Sequence, residues 1–222
     1  MKNVVFLLFT SLMLLGCGQS KEEKAASFAE NEVKKILNDA SSYEAVETKV
    51  DSAFTSIYID YEACEAAREL SEMYFQKKSL QEDYNNEKSS IANWSGIQST
   101  YAQEQIKQAQ EKLSEIKKKQ NRLDDKIIKN QNIIKEKYKT TDEGEFCGWA
   151  IYHRFRYGKN KFLANILIIT DKNMENLENS IMIEDYNPLM ELIGDKLKEF
   201  GFNNNDLNFE QIKQIIDDVL EK

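Results

Sequence analysis

The sequence predicts an α+β protein: a small antiparallel sheet with flanking helices, interrupted by a long antiparallel coiled-coil helical hairpin. Two observations lead to this prediction. From residue 102 to residue 134, mostly apolar residues recur in alternating steps of four and three, which is the spacing of a coiled-coil seam. On either side of residues 61–138, apolar and polar residues alternate in short runs typical of strands with one buried face.

The coiled-coil seam is the strongest periodic signal in the chain, and only two of its positions are polar. Its members are Ala102, Ile106, Ala109, Leu113, Ile116, Gln120, Leu123, Ile127, Asn130 and Ile134. A weaker seam runs through residues 61–93, and Ser95 and Gly96 break the periodicity between the two stretches. This break and the nearly equal arms predict a helical hairpin. One uninterrupted helix that dimerises is the alternative.

The amino terminus has the layout of a secretory signal. Lys2 precedes an apolar stretch at residues 4–15, which is shorter than the roughly 20 residues that a membrane span needs. The stretch ends in Leu14-Leu15-Gly16-Cys17, which resembles the lipobox of bacterial lipoproteins. The resemblance implies cleavage before Cys17, a diacylglycerol on its thiol and a fatty acyl group such as palmitate on the new amine. A secretory peptide with an incidental cysteine is the alternative.

This resemblance implies a protein of the bacterial cell envelope, lipid-anchored in the bilayer through Cys17. No Asp follows Cys17, which fits delivery to the outer membrane, on its periplasmic or surface face. Lys21-Glu22-Glu23 resembles a short surface-display signal, although a solvated spacer has the same composition. The predicted divisions are a signal peptide at 1–16, a flexible tether at 17–26, the first part of the body at 27–60, the hairpin at 61–138, a β-meander at 139–186 and C-terminal helices at 187–222.

Within the body, Ser27 and Glu30 form a capping box that predicts the start of the first helix. Extended segments are expected at residues 43–50 and 53–59. Residues 146–157, 162–170 and 181–183 then predict the strands of the meander. A cap at Asn187-Pro188 and a capping motif at 208–211 predict the two helices that follow.

Parts of this body resemble a small uncharacterised domain common in bacterial lipoproteins. The resemblance lies in residues 33–44, where a helix ends in a corner before a strand, and in residues 148–160 and 169–171. Ala40 stands where that family usually has proline. The family has no assigned activity, so the resemblance implies a fold and no reaction. In architecture alone, the chain is also similar to periplasmic adaptors of efflux pumps, but it lacks their lipoyl-type halves.

Charge and composition exclude several classes of protein. The chain has 222 residues and a net charge of −8, yet residues 61–138 hold 14 Lys/Arg and 13 Asp/Glu, so the acidity lies outside the hairpin. A nucleic-acid-binding protein needs a basic footprint, and this chain does not have one. With one His, three Cys and no CxxC or HxxxH spacing, we expect no metal and no cofactor.

Two cysteines remain after Cys17. Cys64 opens the first long helix and Cys147 follows the second, so both are expected near the base of the hairpin, where a disulfide would stabilise the fold by about 2–4 kcal/mol. Two unpaired thiols are the alternative. His153 and Cys147 do not predict a nucleophilic pair, because His153 shares its strand face with apolar and aromatic residues.

Two further sites have a functional and a structural interpretation. Trp94 at the tip of the hairpin is a possible partner contact, or it covers the turn by packing on neighbouring isoleucines. Arg154 and Arg156 project from one strand face and could contact an anion, or they neutralise acidic neighbours.

The functional prediction is a non-enzymatic envelope lipoprotein that acts as a protein-interaction or spacer module through its helical hairpin. It implies a protein partner at the hairpin and no nucleic acid. The alternative is a small-ligand binder or an enzyme that uses the face of Tyr152, Arg154 and Arg156.

Overall fold

The computed structural model describes residues 19–202, which form an α+β protein with one four-stranded antiparallel sheet and four α-helices. The elements are α1 Lys21–Ile36, β1 Glu44–Phe54, α2 Tyr61–Trp94, α3 Thr100–Thr140, β2 Phe146–Tyr157, β3 Phe162–Asp171, β4 Leu177–Met182 and α4 Ile183–Glu199. The predicted α+β class is therefore confirmed. The lipobox with Cys17 and the helix predicted after residue 208 lie outside the described residues.

The chain divides into two compact units, which are described separately. The sheet unit contains the described residues up to Phe54 together with Glu145–Glu184, and the helical unit contains Thr55–Gly144 and residues 185–202. No helix in residues 19–202 combines the length and the apolar composition that crossing a bilayer requires.

The sheet is a meander in which β1, β2, β3 and β4 are neighbours in chain order. Helix α1 covers one of its faces, because Ala25, Ala29 and Val33 recur every four residues on one side of the helix and are fully buried. This stripe packs against Ile151 of β2 and Ile168 of β3. The bounds of β2 match the prediction, and residues 150–153 in its middle are all buried.

Helix α1 begins earlier than the sequence predicts. Ser20 and Glu23 form the capping box: the Ser20 hydroxyl accepts from the Glu23 amide at 3.1 Å, and the Glu23 carboxylate accepts from the Ser20 amide at 3.0 Å. The predicted start at Ser27 and the flexible tether through residue 26 are therefore wrong for residues 21–26. The earlier start is favoured because it adds Ala25 to the buried stripe.

Three other predicted boundaries differ from the structure. β1 is one strand that ends at Phe54, and Ile57–Ile59 form a turn in which the Ile59 amide donates to the Ser56 carbonyl at 3.2 Å. β4 begins at Leu177, four residues before the predicted strand. α4 begins at Ile183, so Pro188 lies inside the helix rather than at its start.

The long helices α2 and α3 are an antiparallel pair in the helical unit. Contacts between them join progressively later residues of α2 to progressively earlier residues of α3. They are Glu62–Lys137 at 2.9 Å, Glu69–Asn130 at 2.7 Å, Lys77–Asp124 at 2.6 Å and Glu87–Lys112 at 2.9 Å. The chain reverses between Trp94 and Thr100, so the alternative of one uninterrupted helix is wrong.

Side-chain burial along α3 follows the predicted seam. All ten predicted positions are buried or half-buried, and the fully buried residues of the helix are Ala102, Ala109, Ile116, Leu123, Ile127, Asn130 and Ile134. Helix α4 contributes further contacts within this unit: the Lys196 ammonium lies 5.1 Å from the centre of the Tyr74 ring and pairs with Glu199 at 2.8 Å.

Candidate functional site: a basic groove on the long helices

The two long helices differ in how completely their side chains are covered. Beyond Leu70, no side chain of α2 is fully buried, although α3 keeps buried residues as far as Ala102 near its start. A helix with a single neighbour buries only one narrow stripe, so apolar atoms outside that stripe stay in water. Phe75 is the extreme case, with 76% of its surface exposed.

A groove of about 460 Å³ lies beside Phe75 on the surface of the helix pair. Residues from both helices line it, and we refer to these eight residues as the basic groove: Phe75, Gln76, Ser79 and Leu80 from α2, and Lys119, Arg122, Leu123 and Lys126 from α3. Leu80 and Leu123 belong to the two seams, so the groove exposes the edge of the packed interface. No residue of α4 lines it.

The charge of the groove is entirely of one sign. Its lining contains Lys119, Arg122 and Lys126 and no carboxylate. Within residues 19–202, none of these three cations forms an ion pair, whereas Lys77 on the neighbouring surface of α2 pairs with Asp124 at 2.6 Å. The groove therefore combines exposed apolar surface with three positive charges that form no ion pair within the described residues, and together these features favour an anionic ligand with an apolar side.

The sequence analysis missed this groove, although two signals for it exist. Phe75 interrupts the periodicity of α2, because it follows the seam residue Tyr74 directly and is 76% exposed. The cations at 119, 122 and 126 are spaced by three and four residues, which places them on one face of α3. Because residues 61–138 as a whole are nearly neutral, their net charge does not reveal this cationic face.

Trp94 lies at the end of α2, where the chain turns. Its ring is half-buried and meets the ring of Tyr101 edge to face at a centroid distance of 5.5 Å, and Tyr101 itself is 63% exposed. This contact with Tyr101 of α3 supports the interpretation that Trp94 covers the turn. A role of Trp94 in partner binding stays a prediction.

The second predicted site, the arginine face of the sheet, is already neutralised by its neighbours. Arg154 donates to the Asn165 side chain at 2.9 Å and lies 4.0 Å from the Glu47 carboxylate, while Arg156 lies 3.4 Å from Glu44. Tyr152 is buried, and this burial raises the pKa of its hydroxyl. These contacts favour the structural interpretation of the two arginines over anion binding.

His153 is at the centre of a buried hydrogen-bond chain. Its Nε2 lies 2.8 Å from the Tyr43 hydroxyl, its Nδ1 lies 2.9 Å from the Thr48 hydroxyl, and its ring stacks on Phe155 at 5.7 Å. Burial lowers the pKa of His153 to about 4, against a smaller opposing effect of Glu30, so the ring is neutral at pH 7. Both ring nitrogens are engaged, which gives the residue a structural role.

The predicted disulfide is not formed. Cys64 is a buried thiol that donates to the Tyr58 carbonyl at 3.6 Å, and Cys147 is a half-buried thiol. Burial raises the pKa of Cys147, so the reactive thiolate is disfavoured at neutral pH. Sequence alone supplies the order of the two cysteines along the chain but not the separation of their Cα atoms, which decides whether a bond can form.

Nothing in residues 19–202 groups three or more His, Cys, Asp or Glu side chains in a way that could hold a metal. The loop after Asp171 is a hairpin turn, in which the Asp171 carboxylate accepts from the Glu175 amide at 2.8 Å and from the Asn176 side chain at 2.8 Å. Comparisons of the chain with protein families, with curated proteins and with solved structures give no match.

Proposed function

We propose that this chain is a lipid-anchored protein of the bacterial cell envelope, and that its long helices form a coiled-coil hairpin that binds another protein. The observation that carries the proposal is the basic groove, where an exposed phenylalanine lies beside three cations that form no ion pair within residues 19–202. We propose no reaction for the protein and no cofactor.

The coiled-coil description is supported by the burial pattern of α3. Buried positions recur every seven residues from Ala102 to Leu123, and then in steps of four and three from Leu123 to Ile134. Asn130, at a buried position of the same seam, donates to Glu69 of α2. A polar residue at one seam position favours a single register, because other registers leave its amide without a partner.

The membrane anchor rests on the sequence at residues 14–17. A diacylglycerol and an additional acyl chain at Cys17 would hold the protein on a bilayer, since each buried CH₂ contributes about 0.8 kcal/mol and one chain alone binds reversibly. We propose the outer membrane as its location, on the periplasmic or surface face.

Binding explains the surface of the helices better than a spacer function does. A spacer requires only length, and an outer surface of polar residues would serve it at least as well. Burying one phenylalanine side chain contributes about 2–3 kcal/mol of favourable free energy. Because Phe75 is exposed in the unbound protein, a partner that covers it would gain this free energy on binding.

A pair of variants separates binding from spacing. Deleting residues 78–91 together with 109–122 removes two heptads from each helix and keeps the seam in phase. Phe75→Glu keeps the full length and changes only the outer surface. Each variant is expressed in cells, cross-linked, and isolated with its bound proteins, and circular dichroism verifies its fold.

If the helices bind a partner, the same protein is recovered with the wild type and is lost from both variants. The shortened helices also lack Ser79, Leu80, Lys119 and Arg122 of the groove. Recovery with Phe75→Glu but not with the shortened helices would therefore show that the partner does not need Phe75, and the proposal that it binds at the groove would be wrong. Failure of the wild type to recover any specific protein would also contradict it.

A Cys17→Ser variant that remains in the membrane fraction would contradict the proposed anchor.

A further inference from the structure

We infer that the basic groove binds an acidic amphipathic helix, whose apolar side contacts Phe75, Leu80 and Leu123. The inference rests on the proposed function and specifies the chemistry of the partner. It follows from the shape of the groove, from its charge and from the way that backbone groups must be satisfied in such a site.

The shape of the groove fits a helix lying along the pair. Its lining spans residues 75–80 of α2 and 119–126 of α3, which is roughly two helical turns at 1.5 Å per residue. The backbone amides and carbonyls of α2 and α3 are already used within each helix. An extended peptide would find no backbone partners there, whereas a third helix satisfies its own backbone groups and presents only side chains.

The charge of the groove requires an acidic partner. Lys119, Arg122 and Lys126 bring three like charges to one rim, and none of them forms an ion pair with a carboxylate of residues 19–202. On the other wall, Gln76 and Ser79 are neutral and can exchange hydrogen bonds with either sign. A helix with carboxylates flanking an apolar stripe places negative charge over the cationic rim and removes Phe75 from water at the same time.

Other occupants fit less well. A second copy of the chain that docks through the same groove would place its own Lys119, Arg122 and Lys126 against these residues, and like charges would repel. Residues 203–222 of this chain contain both acidic and apolar residues, so they are an internal competitor that the experiment must address.

The test measures the affinity of three designed helical peptides for the full chain in nanodiscs of zwitterionic lipid. All three carry the same leucine stripe, and the flanking positions hold Glu in the first, Gln in the second and Lys in the third. Fluorescence anisotropy at low salt reports each dissociation constant. Because three partly exposed ion pairs contribute modestly, we expect the Glu peptide to bind about tenfold more tightly than the Gln peptide.

Two charge-reversed proteins of equal net charge serve as variant and control. Arg122→Glu with Lys126→Glu reverses the groove, and Lys107→Glu with Lys118→Glu reverses two exposed cations of the same helix outside it. We expect the first pair to abolish the preference for Glu over Gln and the second to preserve it. Higher salt reduces the preference in the wild type, because exposed charges are screened.

Several results would overturn the inference. Equal affinity for the Glu and Gln peptides, or equal effects of the two charge-reversed proteins, would show that the groove does not select charge. Binding of vesicles that contain phosphatidylglycerol through the groove cations, without any peptide preference, would assign the groove to a lipid surface. A tenfold gain in peptide affinity on deleting residues 203–222 would identify that segment as the occupant.

The inference and the proposed function can fail separately. If the shortened helices lose their partner in cells while the groove reversal retains it, the helices bind a protein at another surface and the acidic-helix inference is wrong. If the Glu peptide binds selectively but neither the shortened helices nor Phe75→Glu changes partner recovery, the groove selects acidic helices as inferred, and the proposed cellular function is wrong.

Discussion

The buried histidine gives the sharpest prediction for the stability of the sheet unit. His153 is 1% exposed and is the only histidine of the chain, and both of its ring nitrogens are hydrogen-bonded. Protonation would place a positive charge between two hydroxyl groups and two aromatic rings, far from bulk water. The folded protein therefore resists protonation, and the unfolded chain does not.

The magnitude follows from the two pKa values. The pKa of His153 falls from 6.5 in the unfolded chain to about 4 in the folded protein, so between these values only the unfolded chain binds the proton. Stability from this residue is complete above pH 6.5 and decreases as the pH falls toward 4. Acidification from pH 7 to pH 5 should therefore cost about 2 kcal/mol of the free energy of unfolding.

The assay is urea unfolding at a series of pH values between 7 and 5, for the wild type and for His153→Gln. Glutamine is neutral throughout and keeps polar atoms near Tyr43 and Thr48, so the difference between the two proteins isolates the imidazole. We expect the wild type to lose about 2 kcal/mol more than the variant over this range. Proton NMR of the single imidazole should give a midpoint well below 6.5.

Either of two results would refute this reasoning. If wild type and His153→Gln lose stability in parallel between pH 7 and pH 5, the histidine does not cause the acid sensitivity. If the imidazole titrates at 6.5 or above, the ring is accessible to water or is paired with a carboxylate, and the buried hydrogen-bond chain is wrong.

Three further predictions concern single positions. A Cβ on Gly148 would lie 1.8 Å from the Thr170 carbonyl oxygen, so Gly148→Ala should lower the free energy of unfolding, measured in urea, by about 3 kcal/mol. Gly96→Ala is the control and should be nearly neutral, because a Cβ there meets nothing within 4 Å. Equal effects of the two substitutions would contradict the strand geometry. Asp60 caps α2 by accepting from the Ala63 amide at 2.9 Å and also pairs with Lys137 at 3.4 Å, so Asp60→Ala should lower stability by about 1–2 kcal/mol. The exposed Asp83→Ala is its control, and a comparable loss there would refute the capping role. Asn130→Leu should raise the thermal midpoint of unfolding, because it replaces a buried amide in the seam by an apolar side chain whose burial adds about 1 kcal/mol to the free energy of unfolding. A lower midpoint would show that the hydrogen bond to Glu69 is indispensable.

Features set by periodic burial could be predicted from the sequence. The seam of α3 follows from apolar residues that recur at helical spacing on its packed side, and the bounds of β2 follow from a run of apolar and aromatic residues whose middle part, residues 150–153, is buried on both faces. The reversal near Gly96 was predictable for the complementary reason, since small polar residues interrupt the period.

Boundaries and surfaces were harder to predict because they depend on competing local signals or on distant parts of the chain. Two capping-box sequences, at Ser20 and at Ser27, compete for the start of α1, and packing of Ala25 against the sheet decides in favour of Ser20. Pro188 is typical of a first helical turn, yet α4 starts five residues earlier. The basic groove depends on how side chains of two helices come together at one surface, and the periodicity of a single helix does not contain that information.

The central claim is that the basic groove is where the partner binds. It is tested most directly by a photo-crosslinking amino acid placed in living cells at Ser79, which lines the groove, and in parallel at Ser114, which is exposed on α3 outside it. The crosslinked residue of the partner is then identified by mass spectrometry. We predict a single adduct at Ser79 within an acidic helical segment, absent at Ser114 and absent when Arg122→Glu and Lys126→Glu are introduced. The same adducts at both positions, or none at Ser79, would contradict the claim.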